Sequence, residues 1–327
     1  MLRKPWFINF TNPAGVITEV MTRVLGNKVV GICDSPVGLA RRSLAAAGVH
    51  GVDVRSRRVE IDYIGLNHLG WLRGLVVDGE DVLPRLLADP AAIESFEEGR
   101  LFGAPWIQAL GAVPNEYLHY YYFTREALDA DRRAASTRGA SLARQQSAFY
   151  GGFRGGNDGG TEPAAKPALR LWEKTKLDRE ETYMQSNREA AGTFERDAAD
   201  LVSGGYEAVA LAIMRAISQG ETARLILNVP NRGTLAELDG DAVIEAPCLV
   251  DAGGVRLLPA KALPDYARGL VINAKAVERA TIEAALTGSK RSAYKAMAMH
   301  PLVDSVRVAQ DLLADYISHF SELQYLR

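Results

Sequence analysis

The chain has 327 residues, 47% of them hydrophobic and 24% charged, with a formal net charge of -2. That is enough chain for one large or two ordinary domains with a buried core, and the balance excludes a disordered or fibrous protein. Near-neutral charge gives no reason to expect nucleic acid or an anionic membrane as a partner, and no apolar run reaches the ~20 residues of a spanning helix.

The N-terminus is basic at Arg3 and Lys4 and then apolar from Trp6 to Phe10, too short a run for a signal-peptide core. Two cysteines, Cys33 and Cys248, cannot build a disulfide framework, so a reducing cytoplasm is the expected setting. Trp6 to Phe10 is instead suited to a buried strand. Pro13 then sits at a helix start, and Val16, Ile17, Val20 and Val24 repeat at helical spacing up to Gly26. Val29 to Cys33 is a second buried strand by composition, and Pro36 opens a second helix that runs toward Gly48. Strand, helix, strand, helix at this rhythm implies a parallel sheet.

Further strands are expected over Val59 to Trp71 and Leu75 to Val77, with a turn at Gly79 to Asp81. From Asp81 to about Leu128 the pattern is mostly helical. Gly151 to Pro167 is Gly-rich and aperiodic and reads as a mobile surface loop, because glycine loses the most conformational entropy on ordering. A charged helix is expected from Leu169 to about Glu195, then a break at Gly204-Gly205. Tyr206, Val209, Ala210, Ile213, Met214 and Ile217 share one face of the next helix. Leu225 to Asn228, Ala242 to Val250 and Gly254 to Leu258 read as short strands, with a turn at Pro230 to Gly233. From Pro264 the chain is helical apart from loops at Gly288 and His300-Pro301.

Four places can carry chemistry. Asn9, Thr11 and Asn12 lie where a strand ends and a helix begins, the edge at which open parallel sheets bind ligands; plain helix capping by Thr11 or Asn12 is the competing reading. Cys33 and Asp34 hold the same position one strand later, where a helix N-terminus lowers a thiol's pKa and a thiolate binds metal; a buried small hydrophobe is the plainer fate of a lone cysteine. Cys248 has no acidic or histidine neighbour and belongs to the core. His68, beside Asn67 and among glycines and apolar residues, carries a neutral imidazole able to ligate, or simply a hydrogen-bonded core histidine. Tyr206 stands in the first turn of a helix, where the dipole favours the phenolate. These residues taken singly decide nothing.

Taken together and in order, the segments INFTNPAG (Ile8 to Gly15), GICDSPVGLARR (Gly31 to Arg42), DYIGLNHLGW (Asp62 to Trp71), PNEYLHYYYFT (Pro114 to Thr124), GGYEAVAL (Gly204 to Leu211), LNVPNRG (Leu227 to Gly233) and EAPCLVD (Glu245 to Asp251) resemble glycoside hydrolase family 4, and within it the 6-phospho-β-glucosidases. VERATIEAALTG (Val277 to Gly288) and HPLVDSV (His300 to Val306) extend the likeness almost to the end. The resemblance implies an α/β fold: a remnant of a Rossmann-type parallel sheet over residues 1–55, joined to a mixed α+β catalytic and oligomerisation domain over 56–327, like the C-terminal domain of lactate and malate dehydrogenases. It implies a cytoplasmic homodimer or homotetramer.

It also implies an unusual glycosidase chemistry. In that family NAD⁺ removes a hydride from C3 of the phosphorylated sugar, a base takes the acidified C2 proton, and the C1–oxygen bond breaks by elimination. Water then adds, the hydride returns, and a divalent metal, usually manganese, polarises the C3 carbonyl. By the likeness, Cys33 and His68 match metal ligands and Tyr206 the base, whose pKa must be lowered for that work. Asn12 matches a substrate contact, with Asn67, Asn228, Asn231 and Arg232 placed beside the sugar or its phosphate by position, and Asn9, Thr11 and Asn12 beside NAD. Asp34 stands where phospho-α-glucosidases carry a proton donor and many β-specific members carry Asn; protonation of the leaving oxygen and support of the metal's surroundings both remain open for it. The α-linked specificity is therefore the runner-up, and a non-catalytic remnant that binds metal or sugar phosphate is the competing class.

The departure from the family is at the start. No G-x-G-x-x-G follows any early strand, although family members begin with a glycine-rich strand–turn–helix that cradles the NAD pyrophosphate. The family's arginine near the phosphate is absent with it. The expectation is that the recorded start is internal to a longer gene.

Overall fold

The structure, a computed structural model, describes residues 5–155, 165–196 and 205–327. The middle of the predicted Gly-rich loop (156–164) and Gly204 of the predicted helix break lie outside the described residues. The chain divides into two compact units, Met1–Tyr121 with Gly204–Arg327, and Tyr122–Ser203. Among the described residues no helix is long and apolar enough to cross a membrane.

The larger unit begins as the sequence rhythm implies: β1 (Phe7–Asn9), α1 (Ala14–Leu25), β2 (Val29–Gly31) and α2 (Ser35–Ala46), with β1 and β2 parallel. Beyond this pair the sheet is not parallel. It continues through β7 (Ala223–Pro230), β8 (Val243–Asp251), β3 (Val59–Leu66), β4 (Leu69–Val77) and β5 (Glu80–Asp81), in the order β1-β2-β7-β8-β3-β4-β5, and every pairing after β1–β2 is antiparallel. β6 (Val113–Pro114) pairs with β4, and β9 (Gly254–Leu257) pairs with β8. The nine strands form one mixed sheet.

One expected strand, Val59 to Trp71, is in fact a hairpin. It folds back at Asn67-His68, where His68 adopts a left-handed backbone (φ 63°). Asparagine-led two-residue turns favour such hairpins, but the usual glycine is missing, so the turn carries no strong sequence mark. Two close approaches fix the sheet beside this hairpin. A Cβ on Gly31 would lie 2.3 Å from Thr18 Oγ1 and 2.8 Å from Asn228 Cβ, so only glycine lets α1 and β7 close on β2. A Cβ on Gly70 would lie 2.3 Å from the Tyr63 hydroxyl, and its absence lets that phenol cross the neighbouring strand.

Helices follow the hairpins. Among the short ones, α3 (Leu83–Ala88) packs on α4 (Pro90–Ile93), α6 (Ala104–Leu110) packs on both of these and on α5 (Glu97–Phe102), and α7 (His119–Tyr122) ends the stretch. In the smaller unit α8 (Thr124–Arg133) packs on α11 (Gln185–Ala190), and α9 (Arg138–Gly155) on α10 (Ala165–Glu181). Both flanks of the predicted loop, Gly151 to Gly155 and Ala165 to Pro167, are therefore helical; glycine raises the cost of helix without forbidding it. Arg188 organises this unit from within, donating to the carbonyls of Tyr183, Phe194 and Glu181.

Back in the larger unit, α12 (Tyr206–Gln219) lays Val209, Ile213 and Ala216 on Val30, Leu225, Leu227 and Val250 of the sheet. α13 (Asp265–Thr287), α14 (Lys290–Met299) and α15 (Val306–His319) complete the unit. α13 carries a buried cation: Lys275 Nζ donates to Glu19 Oε2 of α1 at 3.1 Å, to the Val243 carbonyl at 2.7 Å and to Glu278. Glu19, wholly buried, also receives Val243 N at 3.0 Å, so it ties α1, β8 and α13 together.

A second buried acid sits in the middle of the sheet, on β8 between β7 and β3. Glu245 of β8 pairs in register with Gly65 and with Asn228, is fully buried, and accepts from the Tyr63 hydroxyl at 3.1 Å, Asn67 Nδ2 at 3.2 Å and Asn228 Nδ2 at 2.9 Å. Burial wins over these three donors and pushes its carboxyl from 4.5 up to about 7.

Both buried acids have measurable consequences. Lys275→Met leaves Glu19 without its lysine, and Arg23 and Arg279 supply only part of the compensation, so urea unfolding should show a loss of about 3 kcal/mol. For Glu245 the sign follows from the raised value: between 4.5 and about 7 the folded chain keeps a proton that the unfolded chain has released. Stability must therefore fall as pH rises through that window. Thermal unfolding followed across it should decline more steeply for the parent than for Glu245→Gln, which has nothing to titrate.

Candidate functional site

β1 ends at Asn9, and its side chain is spent on the chain itself. Its Oδ1 accepts from Thr11 N at 3.1 Å, and its Nδ2 faces the carbonyls of Thr11 and Ala14 and the Thr18 hydroxyl. These bonds set the path from strand to helix and hold Thr11 and Asn12 out into solvent. Neither caps α1. The N-cap is Pro13, with no side-chain capping bond, and Asn12 instead points its Nδ2 at the Tyr206 hydroxyl, 3.5 Å away. The rings of Phe10 and Tyr206 lie 6.2 Å apart.

Two residues beyond the end of β2, the Cys33 sulfur stands 3.9 Å from the same hydroxyl. Asn12, Cys33 and Tyr206, distant in sequence, thus meet at one point. Asp34 joins them: its Oδ2 would lie 2.1 Å from a Cβ on Gly205, so the bare glycine before α12 makes room for this carboxylate. Asp34 is also the N-cap position of α2, again without a side-chain capping bond.

The electrostatics run opposite to the expected helix-dipole effect. Burial, then Glu245, Asp34 and Glu116, raise the Cys33 thiol well above its ordinary value. Burial, then Cys33, raise the Tyr206 phenol, and the bond from Asn12 offsets this only in part. The expected lowering of both groups is not a property of the protein's own field: desolvation and neighbouring acids outweigh two helix N-termini whose effect fades within a turn. Such a field stabilises a cation, and a bound cation would reverse both shifts.

His68 occupies the left-handed position of the β3–β4 turn and stacks on Tyr117, ring centroids 3.8 Å apart. Burial pushes its pKa down to about 4, so the imidazole is neutral. Its Nε2 is buried with no hydrogen-bond partner among the described residues, a costly state that a ligand would relieve. No contact joins His68 directly to Cys33. The link is through neighbours: Asn67 donates to Glu245, and Tyr117 follows Glu116, while Glu245 and Glu116 are two of the three acids whose fields reach Cys33. Among the described residues no three His, Cys, Asp or Glu side chains form a metal-binding group.

Of the other predicted contacts, Asn228 belongs to this place and two do not. Asn228 is fully buried, donates to Glu245, and keeps its Oδ1 buried with no partner among the described residues. Asn231 uses its amide on the carbonyls of Leu235, Leu238 and Asp239 and on Leu235 N, all within its own turn. Arg232 is exposed beyond the end of β7 with a left-handed backbone (φ 49°), and no contact brings it to Cys33 or Tyr206. The sequence reading missed Glu245, Tyr63, Glu116 and Ser35. Glu116 is buried, receives the Ser35 hydroxyl at 2.6 Å, and is pushed up to about 7 by burial and by Glu98. Acids within apolar runs, as in EAPCLVD and PNEYL, were the available signal. A cleft of about 380 Å³ opens elsewhere, between β3 and the β8–β9 edge, lined by Asp62, Arg224 and Lys261, and holds none of the predicted site residues.

The chain is similar to a set of proteins of one family. A family profile described as "Family 4 glycosyl hydrolase C-terminal domain" matches residues 63–303, and "Family 4 glycosyl hydrolase" matches residues 2–48. A probable 6-phospho-beta-glucosidase of Bacillus subtilis is 29% identical over 321 residues, covering 95% of this chain and 64% of the relative. A maltose-6'-phosphate glucosidase of Fusobacterium mortiferum is 26% identical, covering 95% and 66%. The 6-phospho-beta glucosidase of Thermotoga maritima, solved with manganese, NAD⁺ and glucose-6-phosphate, superposes with a TM-score of 0.69 at 26% identity, over 98% of this chain and 66% of that one. The chain spans about two thirds of the length of each. By the match over most of its length, it belongs to glycosyl hydrolase family 4.

Proposed function

We propose that this chain carries the metal and sugar sites of a glycosidase that hydrolyses 6-phospho-β-glucosides. The observation that carries the reading is the meeting of Asn12, Cys33 and Tyr206 beyond the carboxyl ends of β1 and β2, where burial and neighbouring acids act on the thiol. Relatives of both linkage specificities are known: a 6-phospho-beta-glucosidase of Thermotoga maritima and a 6-phospho-alpha-glucosidase of Leptotrichia buccalis, 28% and 26% identical. The β reading rests on the motif likeness, and Asp34, at the proton-donor position of the α-specific members, favours the α alternative.

The residues present fit a divalent metal. Cys33 offers sulfur, and His68 offers a buried, neutral and unpartnered Nε2, a soft and a borderline donor that suit manganese less than zinc but leave positions open for sugar oxygens. A metal bound there supplies Lewis-acid polarisation of the sugar's C2 and C3 oxygens. As phenolate, Tyr206 would take the C2 proton at its oxygen and become the neutral phenol. With a cation bound its pKa would fall, and Asn12, whose Nδ2 faces this oxygen at 3.5 Å, would donate to the phenolate. Asn67 and Asn228 orient the ring hydroxyls. Asp34, against the first turn of α12, delivers a proton to the leaving oxygen.

The fit to NAD is partial. Residues 1–55 read as the last part of a dinucleotide-binding half, with Thr11 and Asn12 exposed at its ligand edge, while 56–327 read as the catalytic and oligomerisation half. Asn9 is committed to internal bonds, and the sequence has no G-x-G-x-x-G for the pyrophosphate. The proton transfers assigned to Tyr206 and Asp34 rest on this chain's own side chains.

The test is release of the chromophore from nitrophenyl 6-phospho-β-glucoside with NAD⁺ and Mn²⁺ present. Turnover is expected only with both, at a rate on the α-linked isomer at least about tenfold lower, a difference of about 1.4 kcal/mol in transition-state binding. Undiminished turnover without NAD⁺ would remove the mechanism, and preference for the α isomer would move the assignment to Asp34's class. Calorimetric titration with Mn²⁺ checks the metal site separately: Cys33→Ser and His68→Ala should each weaken binding by at least about tenfold.

A further inference from the structure

We propose that Glu245 is a positioning residue: by taking the amino groups of Asn67 and Asn228 on one carboxylate oxygen, it fixes both carboxamides with their carbonyl oxygens as acceptors, and so makes that wall of the site a receiver of sugar hydroxyls. The inference rests on the sugar-phosphate reading of the site and adds to it the polarity of one wall and the residue that sets it.

The geometry has three parts. First, Glu245 Oε1 receives Nδ2 of Asn67 and of Asn228, while Oε2 receives the Tyr63 hydroxyl. An asparagine amide can otherwise turn over at little cost, exchanging a donor pair for an acceptor. A carboxylate accepts only, so both amides must show it their NH₂ groups. Protonation of Glu245 at Oε2 would still leave Oε1 an acceptor, and the choice holds in either charge state.

Second, the oxygen that Glu245 turns away is left wanting a donor. Asn228 is fully buried, and its Oδ1 has no partner among the described residues. By contrast, the buried amide of Asn231 is satisfied in its turn at both ends. An orphaned buried acceptor costs free energy unless something donates to it.

Third, a glycine faces that oxygen, with further acceptors around it. A Cβ on Gly15, in the first turn of α1, would lie 3.9 Å from Asn228 Oδ1, 3.6 Å from Asn67 Cβ and 3.6 Å from Glu278 Oε1. Lys275 donates to the other oxygen of Glu278. The side chains meeting over Gly15 therefore offer acceptors, and the matching ligand group is a hydroxyl rather than a phosphate oxygen.

Glucose 6-phosphate and its monodeoxyfluoro analogues, titrated calorimetrically into the full chain with Mn²⁺, test this directly, because fluorine fills the place of a hydroxyl but cannot donate. In the parent chain at least one analogue should bind about tenfold more weakly than glucose 6-phosphate. Glu245→Leu frees the amides to turn and should bring that ratio close to one. Glu245→Gln, whose carbonyl can accept from both amides while its NH₂ faces Tyr63, should keep it. A merely structural role would weaken all ligands together and leave the ratio unchanged in Glu245→Leu, which overturns the proposal.

The amides can also be read without ligand. The NH₂ signals of Asn67 and Asn228 in ¹⁵N spectra, identified by their loss in Asn67→Asp and Asn228→Asp, should be protected from exchange in the parent chain. Free exchange of both overturns the proposal even if Glu245→Leu fails to fold. Protected amides with no binding of glucose 6-phosphate overturn the sugar-phosphate reading, and with it the assignment of hydroxyls to this wall, while the orientation stands.

Discussion

A carboxylate taken out of water at the seam of the sheet governs the rest of this structure. Glu245 stands where β8 touches both β3 and β7, at the one register pair that joins β3 to β8. Desolvating a charge there is unfavourable unless donors converge on it, and three do, from Tyr63 and Asn67 of the β3–β4 hairpin and Asn228 of β7. Each donor drags a structural choice with it. Tyr63 can lie across its partner strand only because residue 70 is glycine, and Asn228 can stand against β2 only because residue 31 is glycine. Asn67 reaches the acid only if the hairpin turns at His68. The acid therefore fixes the hairpin that presents the imidazole.

The same desolvation shapes the chemistry next to it. Glu245, Asp34 and Glu116 hold Cys33 and, through it, Tyr206 in a field that disfavours further negative charge. A thiol and a phenol kept protonated in this way are poor nucleophile and poor base. The neutral His68 imidazole has no hydrogen-bond partner at Nε2 among the described residues, and in the metal site proposed above a bound cation would relieve both conditions. Reading the helix dipoles alone gives the opposite sign, because a dipole worth a fraction of a charge is set first against burial and then against neighbouring acids.

What was legible in the sequence was local. The β1-α1-β2-α2 start, the helix from Tyr206 and the C-terminal helices are periodic over enough residues to read directly. The parallel sheet was legible only as far as β2: nothing within residues 223–230 announces that this strand enters beside Gly31 in the opposite direction. The hairpin at Asn67-His68 was missed because its left-handed residue is a histidine, and the helix through Gly151 and Gly152 because composition argued for a loop. Among the candidate site residues, Asn12 and Cys33 stand just past strand ends and Tyr206 in the first turn of a helix, positions that were legible locally, while the family likeness was what grouped them. Glu245 was not, since its environment is set by a pairing with Gly65, far away in the chain.

Asn231 and Arg232 show the limit of reading by position from the other side. They follow Asn228 within one motif, LNVPNRG, and motif membership suggests a common role. The structure separates them by pleat and by turn. Asn228 is the residue in register with Glu245 and Gly31, whereas Asn231 closes the turn beyond the strand and Arg232 projects past it. Within one motif, therefore, the first asparagine serves the buried Glu245 and the second serves the backbone of its own turn. The difference comes from where an antiparallel partner places a carboxylate, and that is a property of the fold rather than of the segment.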